Sequence, residues 1–353
     1  MRSAYGQGFN YLVSEDTEKA IKSLSTMVES HRDALEIQQA LAKLFRKNGE
    51  VGKAIDLHER LLQTPHLTEE QRYQIHFELA ADYMSAGLYD RAELLFLGLS
   101  HTMTHGRAAT LALLNIYQAE KEWDKAIQCL AGQEGGDWLQ RQEILAQLHC
   151  EQAEAALMQG NTSVAEQRLL QALQVDSRCV RASLVRAKLA VREQRWSDAS
   201  MALRSVEWQN PVFLSETLDL LRLCHMNLGE TAEYRAYLEY LYLRHGNEYA
   251  GIRLADEITA VDGPGAALQH LEGLLLQRPV PLVMLKAVQY LNAGNLDEGL
   301  MPIMQRLNTA LDLLASHQLP YRCRSCGFGA HEIHWLCPSC REWGSVQPCR
   351  QDG

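Results

Sequence analysis

The chain has 353 residues, 46% of them hydrophobic and 22% charged, with only nine prolines, which is the balance of a soluble, helix-rich protein. Its 34 Lys and Arg against 44 Asp and Glu give a net charge of −10; that speaks against a broad nucleic-acid footprint, because phosphate binding needs a positive surface. No apolar run reaches the roughly 18 residues of a membrane span, and the start, Met1 to Tyr5, carries no apolar stretch behind Arg2, so neither a signal peptide nor a membrane helix is read within the chain.

In chain order one phrase recurs: a turn, a few polar residues, then a small residue. It ends at Ala20, Ala54, Ala92, Ala126, Ala165, Ala199, Ala232, Ala266 and, more weakly, Gly299. The successive spacings of 34, 38, 34, 39, 34, 33, 34 and 33 match the tetratricopeptide period with two short insertions. Each unit predicts a helix pair, with the small marker on the second helix where two helices approach closely.

Twelve residues before each marker stand Gly8, Ala42, Ala80, Leu114, Ala153, Ala187, Leu220, Leu254 and Ala287, mostly small. Nine before stand Tyr11, Phe45, Tyr83, Tyr117, Ala156, Ala190, Leu223, Glu257 and Tyr290, so five repeats set an aromatic ring between helices and Glu257 breaks the pattern. Leu24, Phe96, Leu130, Leu169, Leu203 and Ile303 follow four after a marker, one turn along the same buried face. Pro65, Pro211 and Pro279 fall where second helices should stop. The expected fold is all-α, a tetratricopeptide-repeat superhelical solenoid of about nine repeats over residues 1–316, clear in the first four and the sixth and degenerate in the seventh to ninth.

Such an array buries its apolar faces only between neighbours and leaves a concave groove for peptides or helices of other proteins. Interaction is therefore the expected function class, against the plainer reading of a structural spacer. Tyr, His, Arg and Gln on first helices are groove candidates, although a polar helix face is usually just solvated. The nine cysteines do not form a disulfide framework: Cys129, Cys150, Cys179, Cys224 and Cys349 are scattered singly. The four in the helical part read as small buried apolar residues in a reducing compartment.

From Leu319 the pattern changes. Cys323-Arg324-Ser325-Cys326 and Cys337-Pro338-Ser339-Cys340 form two C-x-x-C turns ten residues apart. Two such turns supply four thiolates to one tetrahedral ion, so Cys323, Cys326, Cys337 and Cys340 are the expected ligands of one iron or zinc ion; both metals accept four sulfurs. Gly327 suits the backbone reversal after the first turn. Residues 317–353 are too few to fold on a core alone, so metal binding should supply most of the folding free energy. Tyr321, Phe328, Trp335 and Trp343 exceed what so small a module buries, which predicts that some of them pack on the repeats. Arg322, Arg324 and Arg341 are placed to offset the negative site, while His331 and His334 are surplus to a four-sulfur set.

The sequence contains no G-x-S-x-G, H-E-x-x-H, P-loop or dinucleotide fingerprint, and four protein ligands leave no open coordination position. The reading is of a protein that is not an enzyme. An electron-transfer module with bound iron and a nucleic-acid-binding ribbon with Arg and aromatic side chains stay open as alternatives, as does a general interaction scaffold or co-chaperone.

An array of about nine such repeats closed by a rubredoxin-like C-x-x-C pair resembles the lipopolysaccharide assembly protein B family of Gram-negative bacteria. The resemblance is carried by Phe9-Asn10-Tyr11-Leu12, by Asp82-Tyr83-Met84-Ser85-Ala86-Gly87-Leu88-Tyr89-Asp90-Arg91-Ala92-Glu93, by Ser215-Glu216-Thr217-Leu218, and by Tyr321-Arg322-Cys323-Arg324-Ser325-Cys326-Gly327-Phe328 with Trp335-Leu336-Cys337-Pro338-Ser339-Cys340-Arg341. It implies a non-catalytic regulator of lipopolysaccharide synthesis that helps the membrane AAA+ protease FtsH degrade the deacetylase committing sugar nucleotide to lipid A. It also implies association with other lipopolysaccharide assembly proteins and an inner-membrane regulator, with homo-oligomers compatible. By the same resemblance the repeats lie at the cytoplasmic face of the inner membrane behind one N-terminal anchor. An apolar helix of about 20 residues before Met1 is therefore expected of the native gene product, while the chain as it stands is expected to be soluble.

Overall fold

The computed structural model describes residues 17–30, 35–131, 138–277, 280–293, 301–316 and 319–349. Two compact units divide the chain, Met1–Gly136 and Asp137–Gly353. Among the described residues no helix is long and apolar enough to cross a membrane.

The first unit holds α1 (Thr17–Ser30), α2 (Leu35–Lys47), α3 (Val51–Leu62), α4 (Glu69–Ser85), α5 (Tyr89–Leu99), α6 (Gly106–Glu120) and α7 (Trp123–Ala131). The second holds α8 (Trp138–Met158), α9 (Thr162–Val175), α10 (Val180–Arg192), α11 (Trp196–Gln209), a 3-10 helix (Pro211–Glu216), α12 (Leu218–Leu228), α13 (Thr231–His245), α14 (Glu248–Asp262), α15 (Pro264–Gln277), α16 (Pro281–Ala293) and α17 (Met301–Ser316). It ends in three short strands, β1 (Tyr321–Cys323), β2 (Gly329–Ala330) and β3 (Val346–Pro348). Consecutive helices pack on one another within each unit, which is the tetratricopeptide arrangement of stacked helix pairs.

The turn inside each pair explains the repeat. Gly49, Gly87, Gly160 and Gly229 take left-handed backbone, with φ of 83°, 73°, 78° and 75°; in two repeats Lys121 and Gln194 do the same at 59° and 57°. Five residues after each lies a buried residue of the second helix. Ala54, Ala92, Ala126, Ala165 and Ala199 are fully buried there, and so is Ala20 in the first repeat. In the seventh repeat the same count from Gly229 reaches Tyr234, not Ala232. Tyr234 is buried and donates its hydroxyl to the Leu218 carbonyl at 3.0 Å, whereas Ala232 is exposed. In the eighth, Gly263 caps α15 directly and the buried residue is Ala267, one past Ala266. The marker phrase follows composition, but helix register follows the turn, and the two part where a bulky residue takes the small position.

Leu24, Phe96, Leu130, Leu169 and Leu203 are buried one turn on, as the pattern requires. Ile303 is instead 60% exposed, and its marker Gly299 lies outside the described residues, as do Gly8, Tyr11 and Pro279. In the second repeat this position holds His58, fully buried, with Nδ1 2.5 Å from Asp82 Oδ2. Arg46 closes the network on Asp82 and Glu78, at 2.7 Å each. A buried imidazole and carboxylate are tolerated here because each finds a charged or hydrogen-bonding partner.

The first-helix rings are held by a recurring pair of contacts. Tyr83 donates to Glu59 at 2.8 Å and Tyr117 to Glu93 at 2.9 Å. The basic residue just before each marker covers the ring: Lys53 over Phe45 at 5.4 Å, Arg91 over Tyr83 at 5.7 Å and Lys125 over Tyr117 at 5.5 Å. Pro65 lies beyond the end of α3, and Pro211 both follows α11 and opens the 3-10 helix, where Asn210 accepts from the Val212 amide.

Candidate metal centre

The last 31 described residues form a small ribbon. Its sheet has the order β2-β1-β3, both pairs antiparallel, with Arg322 opposite Gly329 and Gln347. So short a sheet has almost no core: Cys323, Cys337 and Val346 are buried, with only Tyr321 and Phe328 packed against them. Its structure rests on its two turns.

Those turns are built alike. The Cys323 amide donates to the Phe328 carbonyl at 2.7 Å, and the Cys337 amide to the Glu342 carbonyl at 3.1 Å. The Gly327 amide returns to the Cys323 carbonyl at 3.0 Å, and the Arg341 amide to the Cys337 carbonyl at 2.9 Å. Gly327 and Arg341 occupy the same place, and both are left-handed, with φ of 78° and 58°. Glycine takes this conformation freely; arginine does so at a cost of about 1–2 kcal/mol. Arg341, expected as a charge-compensating side chain, is therefore also the hinge of the second turn.

Each turn buries its first sulfur and leaves its second cysteine exposed: Cys323 and Cys337 are inside, Cys326 and Cys340 outside. The pairs Cys323–Cys340 and Cys326–Cys337 are each 3.7 Å apart at sulfur, and all four sulfurs lie within 4.8 Å of one another. Sulfurs at about 2.3 Å from a central ion in a tetrahedron would stand ~3.8 Å apart, so the spacing suits one metal. The four are free thiols with no disulfide among them.

The electrostatics also suit a cation. Burial opposes ionisation of Cys323, but the Ser345 hydroxyl, 3.3 Å from its sulfur, and the amides of Cys326 and Ser325 outweigh it and bring the thiol down to about 6. The Phe328 amide does the same for Cys326, lowering it. The Glu342 amide favours the Cys340 thiolate, yet burial and the three other sulfurs push it up to about 12. Four thiolates crowd one another unless a divalent ion sits among them. The donor set therefore fits iron or zinc.

His331 and His334 stand apart from this four-sulfur group; the His334 ring lies edge-on to Phe328 at 6.0 Å. Of the aromatic residues, Trp335 leaves the ribbon's own core and stacks on Phe213 of the 3-10 helix, with ring centroids 5.7 Å apart and planes 20° from parallel. The Arg181 guanidinium lies 6.0 Å from the same indole. Tyr321 donates to Glu216 at 2.9 Å, and Ile333 joins Trp335 against the core of α10 to α14. The ribbon is thus packed onto the repeats of its own unit. The contacts of Phe213 and Glu216 with the ribbon, and of Ser345 within it, were not read from the sequence, because each joins residues distant in the chain.

The pattern of the rubredoxin metal binding domain matches residues 321–348. Across 351 residues the chain is 34% identical to lipopolysaccharide assembly protein B of Escherichia coli K12, covering 98% of this chain and 89% of that one. With the protein of the same name from Haemophilus influenzae the identity is 32% over 359 residues, with the same coverage of 98% and 89%. Among solved structures, the C-terminal part of a TPR repeat-containing protein from Cytophaga hutchinsonii aligns at 13% identity over 76% of this chain and 99% of that chain, with a TM-score of 0.42.

Proposed function

This chain belongs to the lipopolysaccharide assembly protein B family, and from that premise we propose that it is a non-catalytic adaptor in lipopolysaccharide assembly. In this reading the helix pairs hold partner proteins. The ribbon, with iron or zinc on Cys323, Cys326, Cys337 and Cys340, fixes the C-terminal repeats in one arrangement. The observation that carries it is the contact of Trp335 and Tyr321 with Phe213 and Glu216: a four-sulfur site with no vacant ligand position, built into a repeat array, is suited to shaping a surface and not to turning over a substrate.

The finer part of the proposal concerns partners. The adaptor presents the lipid A pathway deacetylase to the membrane protease FtsH, at the cytoplasmic face of the inner membrane, alongside other assembly proteins and an inner-membrane regulator. Crosslinked capture from cells carrying the full gene product, read by mass spectrometry, tests it. Recovery of protease and deacetylase together, with a longer deacetylase half-life when the gene is deleted, is the expected result. An unchanged half-life would refute the proteolytic part, and a carrier fraction free of membrane proteins would refute the location.

A further inference from the structure

The second helices of two neighbouring repeats, α11 and α13, carry a ladder of aromatic rings and arginines. On α11, Met201, Arg204 and Trp208 fall at i, i+3 and i+7 and so share one face. Met201 is exposed, and Trp208 is 72% exposed. From α13 come Tyr237, Tyr240 and Arg244, and ring contacts join the two helices into one patch. Arg204 lies 4.7 Å from the Tyr237 ring, Tyr237 stacks on Tyr240 at 6.2 Å, and the Arg244 guanidinium stands 5.7 Å from Tyr240 and 5.4 Å from Trp208. Single exposed apolar side chains are ordinary, but Trp, Tyr and Arg gathered together are the composition of a protein interface.

Charge identifies what fits there. Glu207 lies buried at the patch and is already occupied: Tyr240 donates to it at 2.9 Å and Tyr237 at 3.4 Å, and His245 Nε2 is 3.0 Å away. Arg244 comes no nearer to it than 4.0 Å, and 51% of the Arg244 side chain is open to solvent. Among the described residues Arg204 makes no ion pair. An arginine partnered mainly by rings keeps donors for a carboxylate, which its planar fork can hold through two bonds. Two arginines in a chain of net charge −10 do not make the extended positive track that a phosphate backbone requires. The complement is therefore acidic in part, and apolar where it meets Trp208 and Met201.

We propose that this face of α11 and α13 docks an acidic segment of a partner polypeptide, with Arg244 taking an Asp or Glu side chain and a neighbouring apolar residue covering Trp208. The proposal rests on the adaptor reading and adds to it a contact on second helices, away from the first-helix positions that the sequence pointed to.

The test uses the full gene product with photoreactive p-benzoylphenylalanine in place of Met201, irradiated in cells, with the adducts digested and sequenced. The expected adduct is a peptide of another protein that carries two or more Asp or Glu and an apolar residue within about eight positions of the crosslink. Its yield should fall about tenfold in Arg244→Glu. Lys188→Glu makes the same charge change at an exposed lysine of α10 that takes no part in these contacts, and its yield should match the wild type. A neutral or basic peptide, a segment of this same chain, a lipid or nucleotide adduct, or no adduct would overturn the proposal, as would equal losses in the two variants. Should Arg244→Glu fail to fold, Trp208→Ser is read in its place against the same control. Partner capture by the unmodified protein is a separate measurement, so no acidic adduct at Met201 with capture intact sinks this face and spares the adaptor reading.

Discussion

At Arg341 a single φ angle sets an energetic cost that the equivalent Gly327 does not carry. Two substitutions separate backbone from side chain. Arg341→Gly removes the left-handed cost along with the charge; Arg341→Ala removes only the charge. The glycine variant is expected to hold its ribbon about 1 kcal/mol more tightly than the alanine variant, read as slower metal release to a chelator. Equal release rates would mean that the turn is not limiting. His225 offers a second residue-scale test. Burial lowers its pKa below the ordinary 6.5, and Arg204 adds to this, while Glu230, 3.2 Å away, and Glu233 oppose it. The unfolded chain therefore takes up the proton first as pH falls through 6.5, and stability is lost on the acid side. Thermal melts at pH 7.5 and 5.5 should show a smaller difference for His225→Phe than for the wild type.

At the scale of elements, the helix pair is held by a ring on one helix and a cation and a carboxylate on the other. Tyr117 is the best-defined case, with its hydroxyl on Glu93 and Lys125 over its face. Burial, then Glu93, raises its pKa, so it is a neutral donor at every physiological pH. Tyr117→Phe keeps the ring and is expected to cost the first unit about 1 kcal/mol, measured by denaturant unfolding. The ingredients of this device were visible in the sequence as Lys53, Arg91 and Lys125 beside the markers, yet nothing in the spacing tied them to rings eight residues earlier. The small markers were legible for the second to sixth repeats because turn and composition agree there. They drifted at Tyr234 and Ala267 because a tyrosine stands at the small position and a glycine caps α15 directly. The four cysteines were fully legible, since a metal knuckle is local in the chain; the surface that receives the ribbon was not.

In the second unit as a whole, the ribbon and the repeats share one side-chain interface, through which metal binding is expected to stabilise the helices. Trp335 lies on Phe213 in the 3-10 helix that joins α11 to α12, and Tyr321 reaches Glu216 at the end of the same helix. The ribbon has too little core to persist without its ion. Losing the metal should therefore free Trp335 and Tyr321 together and uncover Phe213, which is 3% exposed with the ribbon in place. Hydrogen exchange with and without chelator measures this directly. Protection should fall most in Pro211–Glu216 and the first turns of α10 and α12, and fade along the repeats toward α16. Trp335→Ala in metal-loaded protein should reproduce the loss at the 3-10 helix while keeping one ion per chain, because it breaks the seating and spares the sulfurs. If chelation leaves the 3-10 helix protected, the ribbon is an independent tail, and Cys323→Ser protein should then keep every partner that the intact protein captures.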